Sequence, residues 1–294
     1  MRNRVVVGCL VAVAVFGAPL RAEAWGFEAH KYIMARAIAL LPAPLRPFFE
    51  AHRAFIIERA IDPDLWRTAG WEQEAPRHFV DMDAFGTYPF EALPHDYDEA
   101  VKKFGKEFVD KNGTLPWRTE EIHKKLVEAF QQRAGYSRDN IKFFSAVIAH
   151  YVGDAHVPFH AALNYDGQLT GQWGIHSRFE SELFERYRGR LRVNPRPVSP
   201  VASPRELIFA SLTSGFPYVQ QILDADKAAT AGRDVFDDGY FVMMFDRTRP
   251  ILEARLAESI TDVASVITSA WIEAGRPPVP VRAPARAPRP VRRQ

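Results

Sequence analysis

Cysteine is almost missing from this chain, with Cys9 alone among 294 residues. No intrachain disulfide can form, and a four-thiolate zinc site is excluded. Uninterrupted apolar sequence is scarce as well. The run over residues 5–20 is 16 residues long and contains Gly and Pro, which is short for a bilayer span. Surplus charge is lacking too, at a formal +2 for the whole chain. Residues 275–294 hold six arginines and no acid, so residues 25–274 sum to −6. That body carries no basic stripe of the kind duplex-binding domains use. Internal repeats and convincing strand pairs are also absent.

What is present begins with a leader. Arg2 and Arg4 precede the apolar run, and Ala22-Glu23-Ala24 forms a small-x-small cleavage pattern. Residues 1–24 therefore read as a signal peptide, with cleavage before Trp25 and a secreted or periplasmic product that has no transmembrane helix. Val6-Val7-Gly8-Cys9 looks superficially like a lipoprotein box, but almost no apolar segment precedes it. The mature chain is then free of cysteine, which leaves packing and bound metal to hold the fold.

The body reads as helix after helix. Ile33, Ala37, Leu40 and Leu41 make one apolar face, and a second amphipathic helix follows Pro44 and ends near Ile61. Residues 62–94 have no clean period, and a long irregular segment in a compact domain is usually functional. Charged amphipathic helices follow over 97–111 and 116–133, then a largely apolar helix that Ser137 can cap. Pro158 ends it. Helices are expected near 204–226, with a kink at Pro217, and over 234–248 and 250–273. The fold class is all-α, one bundle-like domain over 25–274, expected to be monomeric. The Pro- and Arg-rich tail 275–294 reads as disordered chain.

The chemistry concentrates between His150 and Glu180. His150 and Asp154 are four apart, His160 follows, and His176 and Glu180 are again four apart. Four-residue spacing puts two side chains on one helical face, near enough to grip one ion. Imidazole with carboxylate and no thiolate suits a catalytic zinc site. Outside this stretch, His52, His95 and His123 read as surface or solvated histidines. Cleavage would add a free amine at Trp25, which with its own carbonyl can chelate a metal, and His30 lies five residues on.

Taken with Asp64 and His78, these residues closely resemble the superfamily of zinc-dependent phospholipases C and single-strand-specific zinc nucleases, over about residues 25–190. The resemblance implies an all-helical fold holding three zinc ions. One ion would be held by Asp64, His78, His150 and Asp154. Another would be held by the amine and carbonyl of Trp25 with His30, Asp154 bridging the two. The remaining one would take His160, His176 and Glu180. Asp64 is preferred to Asp62 for its distance from His78 and for the Asp-x-x-Arg run it opens; Asp62 stays open as the alternative. Asp64 is also the candidate to orient or deprotonate the attacking water. Asp81 and Asp83 are candidates to orient ligands, and Glu28, Trp71, Tyr88 and Trp173 to shape a substrate pocket.

Two branches share this pattern. Trp25-Gly26-x-x-Ala29-His30 resembles the nuclease start. The closing Glu180 and the short gap from His160 to His176 resemble the phospholipases, and they favour a phospholipase C-like phosphodiesterase acting on phospholipid, with transient contact to a membrane surface. The alternatives are a single-strand nuclease with 3′-nucleotidase activity, taking single-stranded nucleic acid or nucleotides, and a zinc-binding protein without turnover.

Overall fold

A computed structural model describes residues 26–132 and 137–282. The leader, Trp25 and the end of the tail lie outside the described residues. Among those described, thirteen α-helices and several short 3₁₀ turns make one all-helical domain, with no strand. In chain order they are α1 (Phe27–Leu40), α2 (Arg46–Ala51), α3 (Arg53–Arg59), α4 (Asp62–Thr68), α5 (Tyr97–Phe104), α6 (Lys106–Lys111) and α7 (Leu115–Gln131). Then come α8 (Ser137–Asp154), α9 (Ile175–Ser177), α10 (Leu183–Tyr187), α11 (Pro204–Gly215), α12 (Pro217–Thr230) and α13 (Asp238–Glu273). No described helix is long and apolar enough to cross a membrane.

Helix α8 is the axis. From Ser145 to Asp154 every residue is buried, because α7, α13, α3 and α1 pack around it. A helix apolar on all sides belongs in a core, and the polar exceptions in its last turns, His150 and Asp154, go in with it. Helix α1 crosses α13 and α8, and Ala29, Ile33, Met34, Ala37 and Ile38 form its buried face.

Several expected elements differ in extent. The helix expected to reach Ile61 breaks at His52 into α2 and α3. The one expected over 97–111 breaks at Gly105, whose φ of 88° ends one helix and starts the next; a side chain would strain that conformation. Pro250 does not separate two helices. It sits inside the 36-residue α13, where Phe245, Thr248, Ile251 and Leu252 are all buried; this packing on both sides offsets the roughly 3 kcal/mol a mid-helix proline costs. His123 is buried rather than solvated, on the face of α7 that meets α13. Burial lowers its pKa.

One charged side chain ties α13 to the end of α8. Arg255 is 2 % exposed. Its Nε donates to His156 O at 2.8 Å and its Nη2 to Ala155 O and Ser211 O at 3.2 and 2.9 Å. Its Nη1 reaches Glu258 at 2.7 Å. Carbonyls just past a helix end have no partner within the helix, and the guanidinium supplies it while opposing the negative end of the helix dipole. Replacing Arg255 by Met removes this donor from the carbonyls of Ala155 and His156 and leaves Ser211 O with Ser214 Oγ. The expected loss is roughly 2–4 kcal/mol of unfolding free energy, read as a lower urea midpoint at unchanged slope.

Candidate metal centre

The irregular segment after α3 and the end of α8 are brought face to face. Asp64 lies in the first turn of α4 and is fully buried, whereas its neighbour Asp62 turns to Arg59, 3.5 Å away. His78 follows the 3₁₀ turn Glu72–Arg77. His150 and Asp154 project from the last turns of α8, His30 from the first turn of α1. His160 sits on the 3₁₀ turn Pro158–Ala161, which the proline starts. His176 belongs to α9, and Glu180 to a π-turn over Arg178–Glu182 that joins α9 to α10. Such turns are frequent at functional sites.

Donor atoms converge in two groups. His78 Nδ1 lies 2.9 Å from Asp154 Oδ2 and 3.1 Å from His150 Nε2, and His150 Nε2 lies 3.3 Å from the same Oδ2. Asp64 Oδ1 completes the set at 3.7 Å from His78 Nδ1 and 3.9 Å from His150 Nε2. Zinc bonds of about 2.0–2.1 Å put tetrahedral donors roughly 3.3–3.4 Å apart, so the His78, His150 and Asp154 atoms stand near the spacing of zinc ligands and Asp64 Oδ1 lies a little further out. The other oxygen of Asp154 faces away from them, 3.2 Å from His30 Nε2. A carboxylate with one oxygen in each of two donor sets has the geometry of a bridge. In the second group His176 Nε2 lies 3.0 Å from Glu180 Oε2, and the His160 ring stands nearly perpendicular to that of His176 at 5.0 Å.

Hydrogen bonds orient the rings. His150 Nδ1 donates to Ala60 O at 2.9 Å and His160 Nδ1 to His78 O at 2.6 Å, so each turns Nε2 to its cluster. Fixing one ring nitrogen as donor leaves the other as the metal-binding lone pair. Val80 N also donates to His160 O at 2.9 Å, which pins the two groups together through the backbone.

The electrostatics favour a cation. Burial opposes a charge on His150, yet the carboxylates of Asp154 and Asp64 push its pKa up to about 9. Burial equally opposes ionisation of Asp154, but His150, His30 and His78 hold it well below the usual carboxylate range. Burial lowers His160 to about 4. It lowers His176 well below the ordinary histidine range, with help from His160 and Arg67. Both are neutral at pH 7, the form a metal requires.

The donor set fits zinc. His30 Nδ1, both oxygens of Asp64, His78 Nε2 and Asp154 Oδ1 are buried with no hydrogen-bond partner. Buried polar atoms left so are costly. Three buried His/Asp/Glu groupings, His30–Asp64–His150, His78–His150–Asp154 and His160–His176–Glu180, each gather their donor atoms within 4.8 Å. Nitrogen and carboxylate donors without thiolate are those of catalytic zinc. An all-helical domain with clustered His/Asp/Glu donors at its core defines a class, the metal-binding proteins that build their site between helices. Within that class the chain belongs to the zinc dependent phospholipase C family, whose model matches residues 29–206. Among curated proteins, none matches the chain.

Other residues expected at the site divide. Asp83 accepts Leu163 N at 2.8 Å and so anchors the segment after His160. Asp81 is buried, and burial followed by Asp83 raises its pKa to about 7. Glu28 pairs at the surface with Lys31 and Arg188. Trp71 stacks on Trp66, and Tyr88 on Phe216. Trp173 is exposed.

Two neighbours of the centre stand out, Arg67, which closes the Asp-x-x-Arg run, and Glu74, which was not anticipated. Arg67 Nη2 lies 3.2 Å from Asp64 Oδ1. Glu74, 1 % exposed, has Oε1 3.8 Å from His78 Nε2, and it accepts hydrogen bonds from Tyr151 and from Arg77. Its spacing, four before His78, was the available signal, but it lies in a 3₁₀ turn where helical spacing had no warrant. Glu74→Gln should weaken zinc binding about 10–100-fold, read by competition with a coloured chelator. Dialysis against chelator should lower the melting temperature and added zinc restore it, since a ligand bound only by the native state stabilises it.

Proposed function

We propose that the protein is an exported trizinc phosphodiesterase of phospholipase C type, cleaving phospholipids at the headgroup phosphate. The observation that carries the reading is Asp154, with one oxygen toward His78 and His150 and the other toward His30. In this reading Asp64, His78, His150 and Asp154 hold one ion. His30, Asp154 and the amine and carbonyl of Trp25 hold the next, and His160, His176 and Glu180 the third. Gly26 supports the placement of the terminus. A Cβ there would come 2.5 Å from Ser181 Oγ, so the chain joins the fold beside Glu180.

Bound zinc lowers the pKa of water to roughly 7 and takes up charge on phosphoryl oxygens. The chain's own groups do the rest. Asp64 gives one oxygen to the cluster, and the other orients the attacking water and accepts its proton. Arg67, beside Asp64 and close enough to depress His176, offers guanidinium hydrogen bonds to the phosphate. The Ala60 and His78 carbonyls keep the His150 and His160 imidazoles in their tautomers, and Glu74 sets a negative charge behind His78, so the cluster needs little rearrangement during reaction. The phospholipid preference rests on Glu180 as the closing ligand and on the short His160–His176 gap, with the family match in support. A nuclease is the second reading, favoured by Trp25-Gly26 with His30 at the start of the mature chain, Ala29 standing where that branch usually has Gly.

Protein beginning at Trp25 should carry three zinc ions by mass spectrometry and hydrolyse phosphatidylcholine; activity on denatured DNA alone would establish the nuclease instead. Asp64→Asn should cut turnover about 10²–10⁴-fold while leaving the circular dichroism of the helices intact. Zinc binding without turnover of either substrate would favour a non-catalytic zinc protein. One methionine retained ahead of Trp25 should sharply reduce both zinc content and activity, and full activity of that form would refute the amine as ligand.

A further inference from the structure

The loop between His160 and His176 exposes a group of large apolar side chains beside the metal centre. Leu163, Tyr165, Leu169 and Trp173 are 37, 47, 69 and 61 % exposed. Asp166, the one charged residue from Leu163 to Gly174, turns inward and accepts the backbone N–H of His176 at 3.3 Å. The exposed side is therefore apolar and aromatic, without formal charge, at the doorstep of the His160–His176–Glu180 cluster.

The loop is also closed on itself. Gln172 N and Thr170 N donate to Gly167 O at 2.8 and 3.0 Å. Leu169 N donates to Asn164 Oδ1 at 2.8 Å and Asp166 N to Gln168 Oε1 at 2.9 Å. Gly167 is required, since its φ is 73° and a Cβ would meet Gln172 O at 2.5 Å. Buried Arg178 fastens the far end, donating to Trp173 O at 2.7 Å and to Asp226 at 3.0 Å. A loop whose polar backbone groups are satisfied internally loses little on leaving water. A loop already ordered pays little entropy on docking.

We infer that the Leu163–Trp173 loop is an interfacial docking element that seats the metal centre on an uncharged or zwitterionic phospholipid surface. Tyr and Trp place an apolar ring and a polar edge at headgroup level, and Leu enters the acyl boundary. A polyanion fits poorly: the segment has no Lys or Arg, and binding of single strands combines stacking with cationic tracking of the backbone. The inference rests on the phospholipid reading of the centre and names the part of the surface that meets the lipid.

The test is co-sedimentation of the zinc-loaded protein with phosphatidylcholine vesicles. Leu169→Asp with Tyr165→Ser should reduce partitioning by about tenfold or more. Zinc content, melting temperature and hydrolysis of a monomeric short-chain phosphatidylcholine should stay unchanged. Wild-type partitioning should survive a rise in salt that abolishes binding through surface charge. Undiminished partitioning by the double variant, an equal loss in Val242→Ser on α13, or retention of single-stranded DNA in preference to vesicles would overturn the inference. Wild type that hydrolyses the monomeric lipid without partitioning refutes the docking loop alone. Partitioning without hydrolysis of any phospholipid refutes the proposed activity and leaves the loop standing.

Discussion

A buried carboxylate among three imidazoles governs this structure. Asp154 has no access to water, and an isolated charge in that position would cost many kcal/mol. It stays ionised because His30, His78 and His150 surround it, and those rings come from three separate parts of the chain. Satisfying one residue thus dictates where α1, the turn before His78 and α8 must meet. Without cysteine in the described residues, polar convergence of this kind does work that covalent links do elsewhere. Hydrophobic packing supplies the bulk of the stability; the carboxylate decides which packing is admissible.

Around that carboxylate the supporting groups form layers. Backbone carbonyls of Ala60 and His78 set two imidazole tautomers. Glu74 lies behind His78, and Tyr151, which donates to Glu74, also accepts from Arg118 at 3.3 Å. The chain of contacts leads from a buried donor to a half-buried arginine within a few residues. The donor atoms are therefore held by groups whose own positions are fixed, which is what a site needs if its geometry is to survive substrate binding.

Much of this was legible in the sequence. His150 with Asp154 and His176 with Glu180 could be paired from spacing because both sit on helices, where four residues mean one face. The all-helical class followed from the apolar periodicity. Long-range partnerships were not legible. Asp64 and Asp62 look alike in sequence, and only the fold turns one inward and the other to Arg59. Arg255 belongs to a charged, amphipathic-looking stretch, and nothing local says that its guanidinium is buried. The break at Gly105 and the unbroken α13 through Pro250 show the same limit: a residue's local preference held where nothing packed against it and yielded where the core did.

The family match ends at residue 206, and every described donor of the centre precedes that boundary. Arg255, which caps the carbonyls after α8, comes from beyond it, as does Asp226, which holds Arg178. Part of the bracing is thus encoded beyond the matched segment, while the Ala60 and His78 carbonyls and Glu74 lie within it. The matched segment can be recognised by its motif, and the rest of the domain helps to keep that motif in register by presenting a buried cation and an acid at two points. A fragment trimmed to the recognisable segment would own every described donor and lack the brace from α12 and α13 that helps to aim them.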